Sequence, residues 1–103
     1  MITTQNDYDK DFVKYVIEQV FTYFKIDKDI ALTSNRSRDV SDARHMIWYL
    51  LHYNYDYSSF LIAKIFNKNR RSVMSGIANT KFFIENMPDD SNDYNNIIEK
   101  IEW

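Results

Sequence analysis

The sequence predicts an all-α domain, a compact bundle of about six helices that contains a helix-turn-helix. Three observations carry this. Only one glycine and one proline occur in 103 residues, which removes the usual punctuation of hairpins and favours helices joined by Asn, Asp and Ser turns. Apolar residues recur at intervals of three and four, the period of a helix with one buried face. The length suits one domain able to bury roughly 60–65% of its unfolded surface without staples. With no cysteine, neither a disulfide framework nor a thiolate metal site is available.

Each element has its own justification. Phe12, Val16, Val20 and Phe24 recur every four residues and predict a first helix from about Asp9 to Phe24, with Tyr15, Ile17 and Tyr23 widening the stripe. Asp7 or Asp9 can cap it, since a carboxylate accepts the orphan N–H groups and suits the positive helix end. Ile26 starts a turn, and Asp27 can cap a single helical turn ending near Leu32. Thr33 to Val40 is polar, basic and read as irregular. Ser41 then caps a third helix, Asp42 to about Tyr53, with Ala43, Met46, Ile47 and Leu50 inward. Trp48 is a candidate for an apolar outer patch, and Trp103 for another.

Ser58 caps a short helix to Phe66, with Ile62 and Ile65 inward beside Ala63. The polar turn Asn67-Lys68-Asn69 follows, and Asn69 caps a longer helix to Asn86 in which Val73, Ile77 and Ile84 lie roughly a turn apart. Pro88 prevents that helix from continuing. Ser91 or Asn92 begins an acidic last helix, about 91–103, bearing Tyr94, Ile97, Ile98 and Ile101. No repeat or low-complexity linker divides the chain, so residues 1–103 read as one domain with its helix-turn-helix at about 58–86.

Charge is more informative by segment than in total. The formal sum is −2, yet residues 33–81 carry +5 between flanks of −2 (1–32) and −5 (82–103). The basic excess coincides with the helix-turn-helix, where phosphate attraction would be needed. Helix, tight turn and second helix with side chains at its N-terminus aimed outward is the layout that enters a DNA major groove. Arg70 and Arg71 are the foremost candidates for base or phosphate contacts. Ser72 and the first backbone amides can hold a phosphate, Ser75 faces the same way as Arg71, and Lys64 and Lys68 add non-specific attraction. Asn69 reads as a cap, with base contact as the alternative. Gly76, mid-helix, is expected to pack closely against the preceding helix, because glycine there costs ~1 kcal/mol relative to alanine.

Other constellations point away from chemistry. His45 and His52 lie two turns apart and cannot share a metal without further ligands. His45 reads as a helix-surface histidine. Tyr53-Asn54-Tyr55-Asp56-Tyr57 reads as a turn whose tyrosines cover the core, with base stacking as the alternative. No catalytic set, phosphate-cradling glycine loop or paired-carboxylate pocket is recognisable, so neither an enzyme nor a cofactor, metal or small-molecule substrate is expected. No apolar run approaches a membrane span and the N-terminus lacks a signal segment, so the protein is expected to be cytoplasmic.

From Val20 to about Ile84 the chain resembles the C-terminal DNA-binding domain of the bacterial replication initiator DnaA, of the Trp-repressor-like helix-turn-helix group. The matching stretches are Val20 to Ile26, Leu32 to Val40, Ala43 to Ile47 with Tyr49 to Leu51, Ile62 to Phe66, and Asn69 to Met74. The resemblance implies that Arg36, in the loop before the third helix, enters a minor groove, where a narrow A·T-rich groove concentrates negative potential. Arg38 and Arg44 match basic positions near the backbone; an ion pair with Asp42 or Asp39 is the alternative for Arg44. His52 also matches a basic position.

The recognition helix departs from the family. DnaA proteins read their box with an Asp-His-Thr-Thr run, and here Asn69, Arg70, Arg71 and Ser72 stand in its place. An arginine fork pairs bidentately with guanine O6 and N7, while the threonine methyl that could pack on thymine is gone. The box read by DnaA is therefore not the expected target. The ATPase module that precedes this domain in DnaA has no counterpart in the 103 residues. The expectation is a stand-alone, sequence-specific double-stranded-DNA-binding protein regulating replication or transcription. The alternative is a protein-interaction module derived from such a domain, acting on a replication or regulatory protein without binding DNA.

Overall fold

The computed structural model describes residues 8–26 and 38–102, with Arg38 and Asp39 described by their backbone alone. Within them run five helices: α1 (Lys10–Tyr23), α2 (Arg38–Tyr53), α3 (Ser59–Phe66), α4 (Arg70–Asn86) and α5 (Pro88–Ile101). No strand occurs among the described residues. Six helices were expected and five are found. The sixth, the turn from Asp27 to Leu32, lies outside the described residues, as do Asp7 and Trp103.

The caps follow the residue chemistry. Asp9 accepts the Phe12 N–H at 3.0 Å and Ser58 accepts the Leu61 N–H at 3.0 Å, each satisfying a donor that a helix start leaves orphaned. Two starts differ from expectation. Arg38, Asp39 and Val40 are already helical, so Ser41 sits inside α2 and does not cap it. Val40, 3% exposed, continues the inward face of Ala43 and Ile47 by one turn, and its burial draws the helix back. The last helix starts at Pro88, not Ser91 or Asn92. Proline at the first position has its φ set for a helix and lacks only an N–H that would go unpaired, while Asp89 and Asp90 suit the positive end. Met87 is thus the whole junction between α4 and α5.

Helix α2 is the hub. It packs on α1, α3 and, most extensively, α4, while α5 closes the bundle against α1 and α4. Ala43, Met46, Ile47 and Leu50 are buried as the periodicity required, joined by Trp48 and Leu51. Trp48 is 2% exposed, so it belongs to the core and not to an outer patch. In α1 the inward face is Val13, Val16, Val20 and Phe21; Phe12 and Phe24 are only partly covered and Tyr15 is exposed. Val16 and Val20 are buried as expected, and only the ends of the stripe shift, to Val13 and Phe21, because period-four counting drifts against a true repeat of 3.6. Burying one such large apolar side chain stabilises by about 1.5–3 kcal/mol.

Gly76 marks the closest approach of α4 to α2. A Cβ there would lie 2.7 Å from His45 Cδ2 and 2.9 Å from Trp48 Cε3. The neighbour is therefore α2, not the preceding helix α3. His45 is correspondingly half-buried against the Trp48 ring, with centroids 5.3 Å apart, and is not a surface histidine. Burial pushes its pKa down; the Asp42 carboxylate opposes that and the Arg44 guanidinium adds to it. Among the described residues no helix is long and apolar enough to cross a membrane.

Two outcomes follow. Gly76→Ala should destabilise by about 1–2 kcal/mol net, since contacts this short put overpacking at the upper end of its ~1–3 kcal/mol range against ~1 kcal/mol gained in helix propensity; an unchanged urea midpoint would mean that α2 and α4 separate freely. Because the folded imidazole holds its proton less tightly than the unfolded one, the unfolded chain binds more protons below about pH 6.5. Stability should therefore fall as pH drops from 7.5 to 6, and His45→Gln should flatten that slope in urea titrations at each pH.

Candidate nucleic-acid interface

The turn between α3 and α4 is built by backbone geometry that asparagine tolerates. Asn67 is left-handed, φ 53°, and ends α3. Its N–H donates to Lys64 O at 3.3 Å and the Lys68 N–H donates to Ala63 O at 2.9 Å, closing the helix in the pattern usually built on glycine. Asn69 is extended, and its Oδ1 accepts the Arg71 N–H at 2.7 Å. Three residues therefore end one helix and cap the next. Asn69 is thus a cap, with one lone pair of its side-chain oxygen engaged by the Arg71 N–H and its amide NH2 left over. The Arg71 amide, likewise used, is withdrawn from any phosphate.

Helix α4 divides cleanly into two faces. Val73, Gly76, Ile77 and Thr80 are buried. Asn69, Arg70, Arg71, Met74 and Ser75 ring one open depression on the other side. Arg70 is anchored: its Nε donates to Ser59 Oγ at 3.1 Å, and Ser59, the first residue of α3, is 9% exposed. The Arg71 side chain meets no acceptor among the described residues. Met74, 51% exposed, offers an apolar surface between the arginines and Ser75. Lys68 and Ser72 are exposed beside this depression without lining it.

The remaining candidates are scattered. Arg36 lies outside the described residues, and Arg38 is described only as the start of α2. Arg44 is half-buried on α2 and forms no ion pair with Asp42; none of Arg44, Lys68, Arg70 or Arg71 pairs with a described acid. Lys64 stands 5.2 Å over the Phe60 ring. His52 Nδ1 lies 2.8 Å from Tyr57 O, and since a carbonyl only accepts, Nδ1 carries the proton. Neutral His52 then offers an acceptor at Nε2, so a phosphate contact would need the charged ring. In the tyrosine run, Tyr55 meets Phe12 edge-on at 4.8 Å and Tyr57 is partly buried, both covering the core. Burial and the Glu102 carboxylate push the Tyr55 hydroxyl up to about 12. Tyr53, 50% exposed, does not cover the core.

Two features escaped the sequence. Ser59 is eleven residues from Arg70, a spacing no local rule pairs. A second groove, lined by His52, Tyr53, Ser59 and Phe82 among others, adjoins the first and shares Arg70 and Met74 with it. Phe82 is 55% exposed, a signal visible only as an apolar residue off the buried face. Charge sorts mostly by element: Lys64, Lys68, Arg70, Arg71 and Lys81 belong to α3, the turn and α4, with Glu85 the acid there, whereas Asp89, Asp90, Asp93, Glu99 and Glu102 belong to α5 and its end, with Lys100 the base there. No group of three His, Asp or Glu among the described residues could hold a metal.

Helix α3, the Asn67 turn and α4, with the cationic start of α4 turned outward, define a helix-turn-helix domain. The description "bacterial dnaA protein helix-turn-helix" matches residues 13–79, well over half of the 103 residues, and the chain belongs to that family. Domains of this family are DNA-binding, not catalytic. Comparison with curated proteins gives no match.

The turn makes a direct stability test. Asn67→Ala should cost about 1–2 kcal/mol, the left-handed penalty for a residue with a Cβ and no local hydrogen bond, whereas Asn67→Gly should keep or raise the thermal midpoint. Equal losses in both variants would mean that the Asn67 side chain, not its backbone, holds the turn.

Proposed function

We propose that this domain binds double-stranded DNA sequence-specifically, with the start of α4 in the major groove, and regulates replication or transcription. The observation that carries the reading is the depression ringed by Asn69, Arg70, Arg71, Met74 and Ser75, cationic and with no acid paired to it among the described residues. From Arg70 to Ser75 is five residues, about 7.5 Å of helix, enough to face two or three base pairs stacked ~3.4 Å apart. Arg70 and Arg71 contact bases or phosphate; Lys68, Ser72 and Ser75 contact the backbone. Arg36 enters the adjacent minor groove, and Arg38 and Arg44 lie near the flanking phosphates. Met74 supplies the apolar contact to a thymine methyl that the family's threonine would otherwise give. The target differs from the box read by DnaA, since arginine stands at both the imidazole and the first threonine positions.

One observation favours a protein partner as the second reading. Tyr53, Met74 and Phe82, each at least half exposed, line a single groove beside the arginines. Half-exposed aromatics around a groove are the composition of a protein-binding surface. That partner would be a component or regulator of replication.

A duplex titration at two salt concentrations separates the readings. Specific binding through several phosphates should weaken steeply with salt, log K falling ~0.9 per log unit of salt for each released counterion. Arg36→Ala should remove preference for an A·T-rich flank. Absence of duplex binding at low salt, with Tyr53→Ser or Phe82→Ser still altering function in the cell, would favour the protein partner instead.

A further inference from the structure

We infer that Ser59 is a positioning residue that holds Arg70 as a guanine reader and leaves Arg71 as the adaptable member of the pair. This deepens the DNA-binding reading and rests on it. Ser59 is the first residue of α3, directly after the Ser58 cap, so its hydroxyl is placed by a helix. It is nearly buried, and it accepts Arg70 Nε–H at 3.1 Å.

The consequence is chemical. A guanidinium carries five N–H donors in a rigid plane. With Nε–H engaged inward, the four N–H groups of Nη1 and Nη2 remain, at the outward end of that plane. Two parallel donors match guanine O6 and N7, both acceptors. Adenine offers an acceptor at N7 and a donor at N6, so it repels one of the two. Fixing the plane beforehand also removes rotamer freedom that would otherwise be lost on binding. A lysine in this place, with all its donors on one nitrogen, could not make the tether and present the fork together.

Arg71 is the contrast. One residue further on, it is turned ~100° around the helix and has no tether among the described residues. An untethered arginine suits phosphate, which accepts donors from a wide range of directions. The two arginines are adjacent in sequence but are not equivalent.

The test uses duplexes selected by the wild-type protein, in which each guanine is replaced in turn by 7-deazaguanine, which pairs normally but lacks the N7 acceptor. Wild type should lose about tenfold in affinity at one guanine. In Ser59→Ala that ratio should shrink to about threefold or less, and Ser59→Thr should restore it. Arg71→Ala should weaken every duplex alike, lower the salt slope by about one, and keep the 7-deazaguanine ratio. Without DNA, the Arg70 Nε–H proton should be protected from exchange in wild type and lose protection in Ser59→Ala, with helical circular dichroism retained. The same 7-deazaguanine ratio in wild type and Ser59→Ala overturns the positioning role while DNA binding stands. A selected site with no N7-sensitive guanine overturns it too. Failure of wild type to bind any duplex at low salt removes the DNA-binding reading and this inference together.

Discussion

The approach of α4 to α2 at Gly76 is the constraint on which the rest of the interface depends. The Trp48 ring lies against that glycine on one side and against Phe66, at the end of α3, on another, with ring centroids 6.1 Å apart. One side chain of α2 thus touches both halves of the helix-turn-helix. Its Nε1–H is buried and meets no acceptor among the described residues, and the large apolar area of the indole is what seats the ring there. Once Val73, Gly76 and Ile77 are committed to that contact, the 3.6-residue period turns Arg70, Arg71, Met74 and Ser75 outward. Packing beneath the helix decides which residues face a partner.

The short turn transmits the same constraint. Asn67 in the left-handed region and Asn69 as a cap fix α4 relative to α3 with only Lys68 between them. A longer loop would let α4 rotate about its axis, and the Ser59–Arg70 hydrogen bond could not form reproducibly. Charge distribution follows the layers. The acids of α5 and its end sit on a different helix from Lys68, Arg70 and Arg71, and exposed charges beyond roughly 8–10 Å are screened at physiological salt. A formal charge of −2 therefore says little about the potential at the start of α4.

What was legible in the sequence was local. Caps at Asp9, Ser58 and Asn69 could be read because a capping side chain acts within three residues of itself. The inward sets of α2 and α4 could be read because burial repeats with the helix. The starts of α2 and α5 could not. Val40 is apolar in a polar stretch, and only the core that receives it shows that the helix extends that far; Pro88 can stop one helix or start another, and here it does both across a one-residue junction. Trp48 was misread because an indole at that phase looks peripheral until Gly76 opens space for it. Family resemblance supplied the class of fold and partner from Ser34 to Ile47, where residues match, and was weakest at Asn69 to Ser72, where they differ.

That weakest stretch is where the structure adds most. In sequence Arg70 and Arg71 look like one doubled cation, strengthening attraction without saying what is attracted. In three dimensions they have different surroundings, one bonded to a nearly buried hydroxyl on α3 and the other with no such partner among the described residues. Preorganised donors discriminate between acceptor patterns, whereas untethered ones respond mainly to charge. A helix start that combines both can be steered by phosphate and still reject a wrong base. Such a division of labour needs no acidic or imidazole reader of the kind the family uses. It requires only that α3 bring a small hydroxyl to the root of one arginine and not the other, and that placement follows from the turn at Asn67 and the contact at Gly76.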